Sequence, residues 1–393
     1  MSQKKYLFIS RKSSHFRYYQ KLVAFLGEQA ELKLIKRWAL PRLRHWSQVA
    51  ALDLNGLIDV HIKRKVVRHP KLFAMPFVLP LAKCFFGLLE RSRATYYYAL
   101  FSSIEHSTIV LWNGMKQPNK TPYEVAKLCG KHTLLFENGL LPNTTVLDPI
   151  GVNALNSVPR DPEFYRNHQF GPSSLTEQLV AREPHKHRKA AASPVQLPER
   201  FIFVPFQVPN DTQIVCHSPW IDSMESFYQV IEQAVTTAST QSEGLPFKVV
   251  IKEHPSWPRS FKHLHHRNPN IVFANEANTQ ELIEQALAVV TINSTVGVEG
   301  LLLGKKVITL GNSFINVPGV VWHADNVSQL VELFVQLESL NVDHSLISNF
   351  LNYLQNHYLI PDAWQKISSE SHGHLDAVHQ RLKHSFQPLE LSS

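Results

Sequence analysis

The sequence predicts an α/β protein built of two Rossmann-like domains facing a central cleft. Three observations carry that prediction. At 393 residues the chain exceeds what one hydrophobic core usually organises. Short β-branched or apolar runs alternate with helical stretches along most of its length, the pattern of parallel-sheet units. Between two such alternating regions, residues 171–199 turn to Ser, Pro, Ala and basic residues, which reads as a linker. The boundary is placed near 195. That gives an N-terminal domain over 1–195, including a basic helical region and the linker, and a C-terminal domain over 196–393 ending in a helical tail. Two Rossmann-like halves joined in this way imply a ligand-binding cleft.

The elements follow in order. "KYLFIS" (5–10) is a strand, about 14–29 a helix and "ELKLIK" (31–36) a second strand. Residues 57–104 read as mostly helical and rich in Lys, Arg and aromatics. "STIVLWNG" and "HTLLFENG" are strands ending in Gly, with the helix "TPYEVAKLCG" between them. Residues 140–170 lack periodicity and carry many Asn, Pro and Asp, so they form a long loop, more often functional than decorative. Beyond the linker, "RFIFVPFQV", "FKVVIKEHP", "NIVFAN", 288–293 and "KVITLG" are strands. Helices are expected over 222–239, 278–287, 296–303 and 325–339.

Hydrophobic content of 44% and a mean hydropathy of −0.16 describe a folded chain, not a disordered one. "MPFVLPLAKCFFGLL" is broken by two prolines and Lys83 and is too short to cross a bilayer. "MSQKKYLFIS" has no signal-peptide core or cleavage site, which predicts a cytoplasmic location. Cys84, Cys129 and Cys216 lie far apart without CxxC spacing, arguing against a disulfide framework or a zinc site. Residues 1–93 hold 19 Lys/Arg against 5 Asp/Glu, and the remainder 21 against 27. A basic N-terminal part suits an anionic partner such as lipid headgroups, an acidic glycan or nucleic acid; a merely solvated basic face fits it too. The run "RSRATYYYALF" (91–101) has no accompanying nucleic-acid signature and reads as a helix that packs and touches a membrane surface.

Four constellations fall where strand ends should meet the cleft. In "INSTVGVEG" a helix starting at Ser294 or Thr295 exposes backbone N–H groups that can bind a phosphate. Gly297 would allow close approach and Glu299 would reach a ribose hydroxyl; a plain N-cap with Glu299 as capping-box partner fits equally. In "KEHP" the His254-Pro255 pair would hold an imidazole at the strand end, with Lys252 supplying charge; a structural histidine is the alternative. In "FVPFQVPNDTQI", Gln207 ends the strand and Asp211 sits on a Pro-braced loop, placed for nucleophilic or base work or for an Asx-turn. In "LLFENGLLPNTTVLDPIGVNALNSVPRDP", Glu137 ends an apolar strand, partly desolvated as suits a general acid or base. Asn153, Asn156 and Arg160 in the following loop would read a carboxylate or sugar hydroxyls. A plain connection over the sheet fits the loop equally. The His-rich runs "HKHRK" and "HLHHR" lack metal-ligand partners and read as solvated loops, and Walker A, GxGxxG, GxSxG and HExxH motifs are absent.

In this order and spacing, these motifs and "YLQNHYLIP" (353–361) resemble the bacterial retaining β-Kdo glycosyltransferases of capsule and lipopolysaccharide assembly, the KpsC/KpsS-like family. The resemblance covers about residues 134–361. It implies a GT-B architecture, the donor CMP-Kdo held mainly by the C-terminal domain, and no metal cofactor. Ser294 and Thr295 would then bind the CMP phosphate, Lys252 and His254 would contact CMP, and Glu299 its ribose. Asp211 would be the nucleophile and Glu137 the acid/base, with Gln207, Asn153, Asn156 and Arg160 toward Kdo or the acceptor. Implied partners are a glycan or glycolipid acceptor and the anionic inner-membrane surface, with no nucleic acid. Another CMP-sugar transferase, such as a sialyltransferase, or a non-catalytic capsule-assembly or export partner stands as an alternative.

Overall fold

The computed structural model describes residues 5–35, 40–171, 196–242 and 245–385. It divides into two compact units, one of residues 1–157 with 358–393 and one of residues 158–357.

The first unit opens with β1 (Tyr6–Ser10), α1 (Ser13–Leu26) and β2 (Ala30–Leu34). A helical layer follows: α2 (Leu54–Arg68), α3 (Pro70–Phe73) and α4 (Val78–Ser102). Then come β3 (Thr108–Trp112), α5 (Lys120–Leu128), β4 (His132–Asn138) and β5 (Thr144–Asp148). Strands β1 and β3 are buried along their whole length, as expected for a parallel sheet covered on both faces. On one side pack Tyr18, Tyr19 and Leu22 of α1; on the other, Ala94, Tyr97 and Phe101 of α4 and Val125 of α5.

The second unit contains α6 (Pro162–Asn167), β6 (Phe201–Pro205), α7 (Thr212–His217), α8 (Met224–Gln241), β7 (Lys248–Lys252) and β8 (Ile271–Phe273). It continues through α9 (Thr279–Gln285), β9 (Ala288–Thr291), α10 (Val296–Leu302), β10 (Lys306–Thr309) and β11 (Trp322–His323). Helices α11 (Val327–Val335) and α12 (His344–Tyr353) complete it. Its six strands are all parallel, in the order β11-β10-β9-β6-β7-β8. This is a doubly wound Rossmann order, stepping outward both ways from the β6/β9 pair.

The chain then returns to the first unit as β12 (Ile360–Pro361) and α13 (His372–His384). The first sheet therefore runs β12-β5-β4-β3-β1-β2, with β1 to β4 parallel and β5 and β12 antiparallel to their neighbours.

The units depart from the expected 1–195 and 196–393 division in two places. The tail belongs to the first unit because Ile360 extends its sheet and Leu375, Val378 and Leu382 of α13 bury into its core. Residues 158–171 belong to the second unit because Tyr165 packs edge-on to Phe350 (5.2 Å) and Asn349 donates to the Tyr165 and His168 carbonyls. Most of the expected linker, with "HKHRK", lies outside the described residues.

The long loop is organised by Asp148, a fully buried carboxylate that the sequence reading passed over. It accepts from the N–H groups of Ile150 (2.7 Å), Gly151 (2.9 Å) and Ser157 (2.7 Å), and from the hydroxyls of Ser157 and Tyr358 (both 2.8 Å). Five donors replace the water that this charge gave up on burial.

Candidate functional site

In an open α/β sheet, ligands bind beyond the carboxyl ends of the strands, beside the switch in strand order. In the second unit that point lies between β6 and β9, and two side chains bridge it. Gln207, just after β6, donates from Nε2 to Asn293 Oδ1 (3.0 Å), while its Oε1 accepts from the Asn293 N–H (3.1 Å) and the Thr291 hydroxyl (3.3 Å). Asn293, just after β9, donates from Nδ2 to the carbonyls of Gln213 (2.9 Å), His217 (3.0 Å) and Asn312 (3.3 Å). Gln213 Nε2 returns a bond to the Asn293 carbonyl (3.2 Å). The network ties β6, α7, β9 and the loop after β10 into one frame. Gln207, expected to read substrate, is buried with its amide committed to this frame, so it positions neighbouring groups.

Asp211 sits on the rim of the frame, half-buried, as the N-cap of α7. Its Oδ1 accepts from the Gln213 N–H (3.0 Å) and the Thr212 hydroxyl (3.3 Å); Oδ2 has no hydrogen-bond partner among the described residues. The Asx-type turn and an outward carboxylate oxygen thus coexist. His217, at the end of α7, was not singled out in the sequence. Burial holds its imidazole below the usual range, with the Asp211 charge opposing.

After β9, Ser294 Oγ accepts from the Val296 N–H (3.2 Å), and Thr295 stands at the N-cap of α10 without a side-chain cap. Glu299 lies half-buried in that helix. Gly297 serves packing rather than ligand approach. A Cβ there would come within 2.7 Å of Ile315, and one on Gly300 within 3.1 Å of Val307, so the pair lets α10 lie close on β9 and β10.

One strand over, Lys252 ends β7, its ammonium donating to the Ala277 carbonyl. His254 Nδ1 accepts from the Ser256 N–H (3.2 Å), which leaves the proton of the neutral ring on Nε2 as a donor. Between them, Glu253 is buried and holds the loop together, accepting from Phe261 N–H (3.0 Å) and Ser260 Oγ (3.1 Å) and pairing with His265 (3.1 Å). His265, from "HLHHR", also stacks on Phe273 at 4.1 Å, so it is a structural histidine where a solvated one was expected.

In the first unit, Glu137 stands at the carboxyl end of β4. Its Oε2 accepts from Asn113 Nδ2 and its Oε1 from the Asn138 N–H (3.0 Å). Asn113 is turned to this role by a left-handed backbone (φ 67°) just after β3. The same sheet end carries His15 stacked on Trp112 at 4.0 Å and edge-on to Trp364 at 5.1 Å. Asn153 has φ 56° and opens a short 3-10 turn, and Asn156 is buried beside it. Arg160, in the second unit, is half-buried and donates to the Val158 carbonyl.

Burial, then the Lys12 charge, lowers the His15 pKa to about 4. Its unfolded value is higher, so below about pH 6.5 the unfolded chain binds a proton that the folded ring refuses. Stability from this group is therefore full above pH 6.5 and is lost as pH falls toward 4. Urea midpoints should decline over that window, and His15→Phe, which keeps the stack, should flatten the decline; an unchanged slope would refute the assignment.

Among known proteins, a model of the family described as capsule polysaccharide biosynthesis protein matches residues 174–360. Capsule polysaccharide export protein KpsS of Escherichia coli is 25% identical over 283 residues, 57% of this chain and 72% of that protein. Protein FixF of Sinorhizobium fredii (strain NBRC 101917 / NGR234) is 36% identical over 315 residues, 78% of this chain and 74% of FixF. The chain belongs to the KpsC/KpsS-like capsule polysaccharide biosynthesis family. The matched family region takes in Gln207, Asp211, Lys252, His254, Ser294, Thr295 and Glu299, while Glu137, Asn153, Asn156 and Arg160 precede it. Among solved structures, Thermosulfurimonas dismutans KpsC, titled a β-Kdo 2,7 transferase, aligns with 95% of this family member and 99% of that chain, at 13% identity and a TM-score of 0.47.

Proposed function

We propose that this capsule-family protein is a retaining β-Kdo glycosyltransferase, moving Kdo from CMP-Kdo to a capsule or lipopolysaccharide glycan acceptor. The observation that carries the reading is the β6/β9 frame: Gln207 and Asn293 brace a strand-end site whose rim presents Asp211, Ser294 and Thr295. The next strand adds Lys252 and His254.

In this reading the CMP phosphate lies against Ser294 and Thr295, His254 and Lys252 contact CMP, and Glu299 takes its ribose. Asp211 Oδ2 attacks the anomeric carbon of Kdo as the bond to the CMP phosphate breaks, and CMP departs carrying the bonding pair. The charge gathering on the phosphate is met by Lys252 and the start of α10, where it stabilises the transition state more than the ground state. The acceptor hydroxyl then passes its proton to Glu137 and displaces Asp211 from the opposite face. Two inversions give net retention. Asn153, Asn156 and Arg160 belong to Kdo or acceptor recognition, with Gln207 assigned to positioning. No metal enters this scheme, and its partners are the donor, a glycan or glycolipid acceptor and an anionic membrane surface.

The likeness to KpsS, a capsule polysaccharide export protein, favours a second reading, a non-catalytic assembly or export partner. CMP release by the purified protein from CMP-Kdo, compared with CMP-sialic acid, separates the two.

A further inference from the structure

The helical layer of the first unit carries an apolar surface that its own core does not use. Helix α4 has two different halves. From Glu90 onward it is built into the unit, with Glu90, Arg93, Ala94, Tyr97 and Phe101 buried. Its first three turns stand out instead. Phe77, Leu81, Phe85 and Leu88 are 78%, 68%, 56% and 57% exposed. At 3.6 residues per turn these positions fall within an arc of roughly 80° and span about 16 Å of helix axis. The opposite side of the same turns meets α2, where Phe86 packs edge-on to His61 (4.7 Å) and Gly87 faces Ile58. Leu72 of α3 and Met75 of the turn before α4 are exposed as well. The surface is therefore a stripe with a supporting helix behind it.

Its electrostatic setting is one-sided. Residues 60–89 contain Lys63, Arg64, Lys65, Arg68, Lys71 and Lys83, and no Asp or Glu. Lys71 and Lys83, the two on α3 and α4, are both exposed. The aromatic-basic run 91–101, expected to pack and to touch a membrane, packs inward through Arg93, Tyr97 and Phe101, and the exposed stripe lies one helix-half earlier. Among the described residues no helix is long and apolar enough to cross a membrane, so this stripe suits the plane of an interface.

We infer that the stripe Phe77–Leu81–Phe85–Leu88 docks on an anionic lipid bilayer, its apolar side chains entering the headgroup–acyl boundary while Lys71 and Lys83 meet lipid charge. A bilayer offers the two things the surface lacks, acyl chains for the stripe and negative charge for its flanks. A second copy would bring the same basic flanks face to face. The inference deepens the membrane clause of the proposed function and needs nothing from the donor chemistry.

The test is flotation of the full chain with phosphatidylcholine vesicles, with and without phosphatidylglycerol, at low salt. Wild type is expected to float with the anionic vesicles only. Leu81→Gln/Phe85→Gln/Leu88→Gln should lose roughly tenfold or more of that partition, since each side chain gives up its apolar transfer. Lys71→Gln/Lys83→Gln should reduce it and weaken its salt dependence. All five residues are exposed, so both variants should keep the wild-type thermal midpoint. Equal partition of wild type into both vesicle types, or unchanged binding by the triple variant, would overturn the inference. So would a wild-type dimer that ignores vesicles and becomes monomeric in the triple variant. CMP release distinguishes the two proposals: a protein that turns over CMP-Kdo yet ignores anionic vesicles sinks the docking surface alone.

Discussion

Asn293→Asp is expected to lower the stability of the second unit by roughly 3 kcal/mol or more, read as a fall in urea midpoint. Asn293 is only 2% exposed, and its Nδ2 faces three backbone carbonyls, those of Gln213, His217 and Asn312. Aspartate has almost the same shape but puts an anionic oxygen against those three acceptors, with no cation in the network to balance it. Asn293→Ala should also destabilise, because it strands the same carbonyls and the Gln207 amide, each worth about 1–3 kcal/mol when left unpaired in a buried place. Ser294→Ala, one residue on and half-buried, should cost only about 1 kcal/mol as a lost helix-start bond. An Asn293→Asp protein that unfolds at the wild-type urea concentration would show that the frame does not hold the unit together.

Substitutions at Asp211 should separate two duties of one side chain. Asparagine caps helices about as well as aspartate, so Asp211→Asn should keep the bond to the Gln213 N–H and unfold at the wild-type midpoint. Transfer should nonetheless fall by about 10³-fold or more, because an amide cannot form the covalent sugar intermediate. Asp211→Ala should lose transfer to the same extent and about 1 kcal/mol of stability besides. CMP binding should survive in both variants, since the phosphate contacts proposed above lie at the start of α10 and the end of β7. Full transfer by Asp211→Ala would remove Asp211 as nucleophile and leave it a helix cap.

The alternation of the second unit was legible where a strand is a continuous apolar run ended by a polar or Gly residue, as in β6, β7, β9 and β10, and where a helix shows its own period, as in α8; β11, two residues long, and the short α7 were not. The strand ends were legible too: Asp211, Lys252, His254 and Ser294 all lie where the alternation places them. Less visible was which polar residues face inward. Gln207 and Asn293 bond each other across 86 positions of chain, a pairing that no local pattern reports. Glu253 sits between Lys252 and His254 as one more charged letter, although it is the buried one. Gly297 looked like room for a ligand because a glycine at a helix start has two uses, and only the packed neighbour Ile315 decides between them. The tail was misassigned for a similar reason. Strand β12 is two residues long, too short for any periodicity, and its partner β5 lies more than 200 residues earlier.

The proposed function requires the frame between β6 and β9 to hold a CMP-sugar for transfer. Incubating the purified full chain with CMP-Kdo, and separately with CMP-sialic acid, in the presence of lipid-linked and soluble glycan acceptors and following CMP release tests it most directly. The expected result is acceptor-dependent CMP release from CMP-Kdo, little from CMP-sialic acid, and almost none from CMP-Kdo with Asp211→Asn. CMP release from neither donor would contradict it and favour a binding partner in capsule assembly or export.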